Sequence, residues 1–356
     1  MTTKRPITDI DGNIASAQNS LSLYPRSHTI HMISVYTLAM AWFNRFTLSQ
    51  QKEDLDKSIL YSTEAIFLPP IPWAGLSLSV VQLLFRLASA LLYRAMEFKQ
   101  SEGVKYSIEY FRYLRGLPLE SFDVSRDLVT TSLIQAFAIQ VVSEAENGTQ
   151  NTEDMVVLYR ELLTSNSSTD FPVAVSMSLN EAVNAEFLRG SVQSLDTVIE
   201  CLRDAVNLCL PGSHLVLFSL SNTLFLRFVQ THSNDDYEEA TTLLERIFDP
   251  NRPGECPDSI RDLAPSLTLC SPTSNQPSSR THNIPKCRLL VSAPYSDLLP
   301  LMKNFVFESP TCWRSEPESV LTKTVSLRAL KKQTPILHRL STFRPLKPWN
   351  NLGNFS

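Results

Sequence analysis

The stretch that decides the fold is RFVQTHSNDDYEEA, residues 227–240, because RFTLSQQKEDLDKS, residues 45–58, repeats its pattern. In both stretches an Arg-Phe pair ends an apolar run with helical spacing, and an aspartate follows the arginine nine positions later. A short polar link separates the Arg-Phe pair from the aspartate in each stretch. The side-chain oxygens of aspartate accept hydrogen bonds from the first-turn amides of a helix, so each aspartate is expected to open a second helix. The sequence therefore predicts the same turn between two helices in two copies.

The apolar residues before these turns superpose along the chain. Positions spaced i, i+3, i+7 and i+11 are apolar in three helices, and shifts of 49 and 182 residues relate the three sets. The sets are Val35, Leu38, Trp42 and Phe46; Leu84, Leu87, Leu91 and Ala95; and Leu217, Leu220, Leu224 and Phe228. A fourth helix fits more loosely, through Val175, Leu179 and Ala182. These columns predict the buried faces of the first helices.

Each predicted second helix begins at an acidic, small or capping residue and is followed by a proline. The predicted openings are Asp54, Gly103, Asp154, Ser194 and Asp236, and the prolines that follow are Pro69, Pro118, Pro172, Pro211 and Pro250. The apolar residues just after the openings are spaced by 49, 51, 40 and 42 positions. Helix pairs that recur at such intervals are typical of solenoids. The sequence predicts an all-α fold, an α-solenoid of about five helix-turn-helix repeats. The alternative is an ordinary helical bundle with accidental similarities.

The charge of the chain changes abruptly near residue 265. Residues 1–264 hold 20 Lys/Arg and 32 Asp/Glu, whereas residues 265–356 hold 12 Lys/Arg, 4 Asp/Glu and 11 of the 22 prolines. Such a break in composition indicates a boundary. We therefore predict an N-terminal extension over residues 1–30, the repeats over residues 31–264, and a basic, Pro-rich and poorly ordered tail over residues 265–356.

The chain shows no targeting pattern. No apolar run follows the basic residues of the N-terminus, so we expect no signal peptide. The most apolar segment, residues 76–95, contains Arg86 and Arg94, so we expect no membrane span. The six cysteines form no Cys-x-x-Cys pair, which favours reduced thiols and a cytoplasmic protein.

One segment resembles a known family. Residues 208–247, LCLPGSHLVLFSLSNTLFLRFVQTHSNDDYEEATTLLERI, are similar to the tetratricopeptide-like arrays of basidiomycete fungi, and residues 38–70 and 83–118 look like weaker copies. Many proteins of that family carry a caspase-like CHAT peptidase domain after the array. Residues 265–356 contain no match to the His and Cys motifs of that domain. The repeat spacing exceeds the roughly 34 residues of a tetratricopeptide unit and overlaps HEAT units of about 40–47, so the subtype stays open.

No motif in the sequence indicates catalysis. Phosphate-binding glycine loops, a nucleophile elbow and a His-Glu-x-x-His pattern are all absent from the sequence. His28 and His31 lie three residues apart but have no evident third ligand, so capping or surface roles are favoured over a metal site. Cys201 and Cys209 are interpreted as small buried apolar residues. We expect no enzyme activity, no cofactor and no bound metal.

The polar positions of the first helices are the candidate binding residues, because first helices line the concave groove of a helix-pair solenoid. The aligned columns place there Asn44, Arg86, Ser89, Tyr93, Asn180, Asn184 and Asn222. Asparagine presents a donor and an acceptor, which suits a peptide backbone, although these side chains are also compatible with simple solvation.

We expect a non-enzymatic scaffold that binds a protein or peptide partner in this groove. Two alternatives remain: the regulatory repeat half of a CHAT-type peptidase that lacks its catalytic domain, and a binder of nucleic acid or anionic surfaces through the basic tail.

Overall fold

The computed structural model describes residues 7–68, 77–119, 124–143, 148–165, 170–190, 195–208 and 214–247. Eleven α-helices account for these residues, with one 3₁₀ turn at Ser101–Gly103, and the described residues contain no strand. The predicted all-α class is confirmed. The helices are α1 (Ile7–Leu23), α2 (Thr29–Ser49), α3 (Lys52–Phe67), α4 (Ser77–Phe98), α5 (Val104–Arg115), α6 (Arg126–Ser143), α7 (Gly148–Thr164), α8 (Asp170–Leu188), α9 (Leu195–Leu208), α10 (His214–Thr231) and α11 (Asn234–Ile247).

The helices pack in a repeat-like order. The even-numbered helices from α2 to α10 are the first helices of five pairs, and α3, α5, α7, α9 and α11 are the second helices. The extensive contacts join helices that are one or two steps apart in the chain, such as α2 with α3, α6 with α8, and α10 with α11. Each pair therefore packs mainly on its neighbours.

The turn inside three pairs has the same backbone conformation. Gln50, Lys99 and His232 each adopt a left-handed conformation, with φ of 55°, 53° and 56°. Non-glycine residues rarely adopt it. The amide of Gln50 donates to the carbonyl of Phe46 at 2.8 Å, and the amide of His232 donates to that of Phe228 at 2.7 Å. Because shifts of 49 and 182 residues relate the three positions, the turn is one repeated structure.

The arginine and aspartate that mark the turn in the sequence form an ion pair across it. Arg45 Nε lies 3.5 Å from Asp54 Oδ2, and Arg227 Nε donates to Asp236 Oδ2 at 2.8 Å. In the α4–α5 turn Gly103 replaces the aspartate. A Cβ at Gly103 would lie 2.9 Å from Cδ2 of Leu91, so a larger residue there would have to displace the Leu91 side chain.

A serine hydroxyl joins the two helices of the same three pairs. Ser58 donates to the carbonyl of Ala39 at 3.1 Å, and Ser107 donates to that of Ala88 at 2.9 Å. In the α10–α11 pair the roles are exchanged, since Ser221 on the first helix donates to Ala240 at 2.9 Å. Shifts of 49 and 182 residues again relate the bonded positions of the three pairs. These buried bonds fix the register of each pair in the same way.

The apolar columns form the core as predicted. Val35, Leu38, Leu179 and Leu224 are fully buried, and only Phe228 among the three superposed sets keeps partial exposure. Residues 128–141 of α6 are buried on every side of that helix. Arginine-carboxylate pairs join successive second helices on the outside: Arg112 with Asp154, Arg160 with Glu200, and Arg203 with Glu239.

Three features differ from the expectations. The second helix of the third pair begins at Gly148 rather than at Asp154, which lies inside it and pairs with Arg112. Pro172 lies in the first turn of α8, where a missing N–H costs nothing. Within the predicted N-terminal extension, α1 packs Ile10, Ile14 and Ala17 against α2.

The basic segment 265–356 and residues 248–264 lie outside the described residues. Among the described helices, none combines the length and apolar character that crossing a bilayer requires.

Candidate functional site

The structure brings five of the seven candidate residues together in two groups. Asn44 on α2 lies beside Arg86 on α4, whereas Asn180 and Asn184 on α8 lie beside Asn222 on α10. Ser89 and Tyr93 of α4 take part in neither set of hydrogen bonds.

The three asparagines form a cluster across two adjacent first helices. The Nδ2 group of Asn222 donates to Oδ1 of Asn180 at 2.8 Å and to Oδ1 of Asn184 at 2.9 Å. Asn180 is buried, while Asn184 and Asn222 are half-buried. This pairing leaves Oδ1 of Asn222 and the Nδ2 groups of Asn180 and Asn184 without a bond to the described protein. The cluster can therefore both donate and accept further hydrogen bonds.

Arg86 and Asn44 form a second polar contact between first helices. Arg86 Nη1 donates to Oδ1 of Asn44 at 3.3 Å, and its guanidinium lies 6.0 Å from the ring centre of Phe43. Arg86 is buried and Asn44 is exposed. Burial lowers the pKa of Arg86 to about 10, so the guanidinium keeps its charge at neutral pH.

Ser89 and Tyr93 contribute to the interior of the protein. Each is only 2% exposed. The Ser89 hydroxyl donates to the carbonyl of Phe85 at 2.8 Å, one turn earlier in α4. The Tyr93 ring packs edge-on against Phe46, with 6.1 Å between ring centres. A role for these two residues in partner binding stays a prediction, and their contacts in the structure are those of packing.

Sequence reasoning missed a set of buried polar side chains on α6 and α8. Thr131, Ser132 and Gln135 on α6 are at most 1% exposed, and their side-chain polar atoms have no hydrogen-bond partner among the described residues. Both carboxylate oxygens of Glu181 on α8 are also buried, and no partner for them lies in the part of the chain that the structure describes. One signal was visible for Glu181, because it and Glu186 are the only charged residues between Phe171 and Phe187.

The histidine and cysteine side chains discussed above as possible metal ligands or nucleophiles lie in environments that are typical of structural roles. The His28 ring accepts from the amide of Ile30 at the start of α2, which confirms a capping role. The ring of His31 lies 3.1 Å from the carbonyl of Tyr24. Cys201 is fully buried, and burial raises the pKa of its thiol to about 12, so it is not a thiolate at neutral pH. Cys209 lies outside the described residues. No group of three metal-ligating side chains occurs in the part of the chain that the structure describes.

Comparisons of the chain with protein-family models, with curated proteins and with solved structures gave no match. A functional assignment therefore depends on the geometry of the two polar groups.

Proposed function

We propose that residues 31–264 form an α-solenoid of tetratricopeptide-like helix pairs that acts as a non-enzymatic scaffold. Its partner is a protein or peptide, and the partner binds along the face formed by the first helices α2, α4, α6, α8 and α10. We call this surface the first-helix face. The repeated turn, the repeated serine bond and the nearest-neighbour packing of the pairs support the solenoid.

The asparagine cluster is the observation that carries the binding proposal. Asn180, Asn184 and Asn222 join neighbouring first helices and keep unused donors and acceptors. A peptide backbone alternates N–H donors and C=O acceptors, so amide side chains can hold it whatever its sequence. Arg86 and Asn44 supply a second polar contact between neighbouring first helices. Two polar contacts of this kind on the first helices suit an elongated partner better than a small molecule.

Affinity capture with matched variants tests this proposal. The full chain, the N184A/N222A variant and the E200Q variant are immobilised and exposed to a lysate of the source organism. Glu200 lies on the second helix α9 with its side chain 69% exposed, so E200Q is a control on the opposite set of helices. We expect a protein that the wild-type chain and E200Q retain and that N184A/N222A loses, with unchanged far-ultraviolet circular dichroism. Equal recovery by all three chains would contradict the proposal.

A further inference from the structure

Glu181 lies next to the asparagine cluster on α8. It stands three residues before Asn184, so these two side chains are neighbours on the helix surface, whereas Asn180, the residue directly before it, points to a different side of the helix. The residue as a whole keeps partial exposure, whereas both of its carboxylate oxygens are inaccessible. The head group is therefore shielded from solvent in the free protein, while the rest of the side chain is partly exposed.

The carboxyl group of Glu181 has no partner among the described residues. Burial alone raises its pKa to about 8 from the ordinary value of 4.5. An ionised carboxylate in such a place loses its hydration without any hydrogen bond or counter-ion in return. In the free protein at neutral pH the neutral form is therefore favoured.

The helices around α8 supply no cation to this carboxyl group. Arg126 on α6 donates to the carbonyls of Arg115 and Leu117, and Arg160 on α7 pairs with Glu200. Arg203 on α9 and Arg227 on α10 also bind carboxylates of other helices. Arg189, directly after α8, donates to the carbonyls of Val141 and Val142. The remaining titratable groups on α6 to α10 that the structure describes are Asp127, Glu153, Asp154, Tyr159, Glu161, Glu186, Asp196, Glu200, Cys201, Asp204 and His214. None of these groups contributes to the shift at Glu181.

A cation brought by a partner would shift the protonation equilibrium of the Glu181 carboxyl group toward the ionised form. An ammonium or guanidinium group within about 4–6 Å of a carboxyl group favours its ionised form and lowers its pKa by about 1–3 units. A carboxylate that bonds to such a group is also a stronger acceptor than a neutral one. Asn184, three residues later on α8, is the member of the asparagine cluster placed to hold the backbone that carries the cation.

We propose that Glu181 is the receptor on the first-helix face for a lysine or arginine side chain of the bound partner. When the cation arrives, the neutral carboxyl group releases its proton to solvent and accepts a hydrogen bond from the cationic N–H. This assignment rests on the proposed function of that face. It adds the chemical class of the partner, a segment with a basic side chain beside its backbone contacts.

Carboxyl titration of the full chain by nuclear magnetic resonance tests the assignment. Glutamate is labelled with carbon-13 at the side-chain carboxyl, and the E181Q variant identifies the Glu181 signal by its loss. The exposed Glu238 on α11, identified with E238Q, provides the reference titration. The probes are Nα-acetyl-lysine amide, whose side-chain ammonium is free, and its uncharged counterpart Nα-acetyl-norleucine amide. We expect Glu181 to titrate well above Glu238, and the lysine probe to lower its midpoint by about one unit or more while the norleucine probe leaves it unchanged.

Two results would overturn the inference. Titration of Glu181 together with Glu238 would mean that its carboxyl group is hydrated, and an equal response to both probes would mean that charge is not recognised. Failure of the proposed function is distinguishable, because it appears as equal capture by the wild-type and N184A/N222A chains whatever Glu181 does.

Discussion

Leu224 is the residue in which the sequence pattern and the packing agree most directly. It belongs to the third apolar column and is fully buried in α10. We expect L224A to lower the free energy of unfolding by ~2–5 kcal/mol, because truncation leaves a cavity in the core. Val229 on the same helix is 37% exposed, so V229A should change it by less than about 0.5 kcal/mol. Urea unfolding of both variants measures the difference, and similar effects would show that the apolar column does not face the core.

Because the pKa of Glu181 is raised, we predict that its contribution to the stability of the folded protein decreases as the pH rises. Its pKa is raised in the folded protein, so between pH 4.5 and about 8 the folded chain holds a proton that the unfolded chain has lost. Its contribution is therefore fully present below pH 4.5 and is lost as pH rises through about 8. Each unit of pKa difference corresponds to about 1.4 kcal/mol.

The E181Q variant isolates this contribution, because glutamine stays neutral at every pH. Urea unfolding of wild type and E181Q is compared between pH 4.5 and 9. We expect the variant to become progressively more stable than wild type as pH rises. A constant difference between the two would mean that the folded state does not perturb Glu181.

At the scale of single residues, periodicity predicted burial but not polar contacts. The columns through Leu38 and Leu224 are buried because apolar spacing reports which face of a helix packs. The interior positions of Ser89 and Tyr93 were not predicted, since both side chains also occur on solvated faces. Glu181 was missed because the burial of its carboxyl group depends on the packing around α8, which the pattern of one helix cannot reveal.

Among the elements, the α10–α11 turn depends on Arg227. Its guanidinium bonds to Asp236 and also to Asp196 of α9 at 2.6 Å, and the Asp236 side chain is only 5% exposed. Removing the arginine leaves a buried carboxylate without its counter-ion, so R227A should cost about 3 kcal/mol. The R227A/D236N chain, which removes that charge as well, should recover part of the loss. Thermal unfolding of the wild-type, R227A and R227A/D236N chains measures these differences in stability. No recovery in the double variant would contradict this account.

The bounds of the elements followed from the sequence wherever a local signal determines them. The left-handed turn residues Gln50 and His232 lie in the links predicted between helices, and α3 and α11 end shortly before Pro69 and Pro250. The start of α7 was misplaced because Asp154 resembles a cap but forms an ion pair with Arg112 inside the helix. α1 was not predicted because its apolar residues acquire a partner only when α2 is in place.

For the whole molecule, packing between near neighbours implies that the terminal segment can be removed. Among the described helices the extensive contacts join elements one or two steps apart in the chain, so we expect loss of residues 265–356 to leave distant pairs intact. We expect a chain that ends at residue 264 to keep its helical circular dichroism, and its Tm to remain within a few degrees of the full chain. Collapse of the helical signal in the shortened chain would mean that the segment is part of the fold.

The equivalence of the helix pairs is the central claim, and disulfide trapping tests it most directly. Cysteine pairs replace the serine-bonded positions in three separate variants: A39C/S58C, A88C/S107C and S221C/A240C. Each hydroxyl lies 2.9 to 3.1 Å from the backbone carbonyl of its partner residue, so the two helices approach each other closely at these positions. The control A39C/L60C places the second cysteine two positions further along, where Leu60 is 56% exposed. After mild oxidation and peptide mapping, we predict the designed disulfide in all three variants and not in the control. Formation in only one pair, or equal formation in the control, would contradict a repeated helix pair.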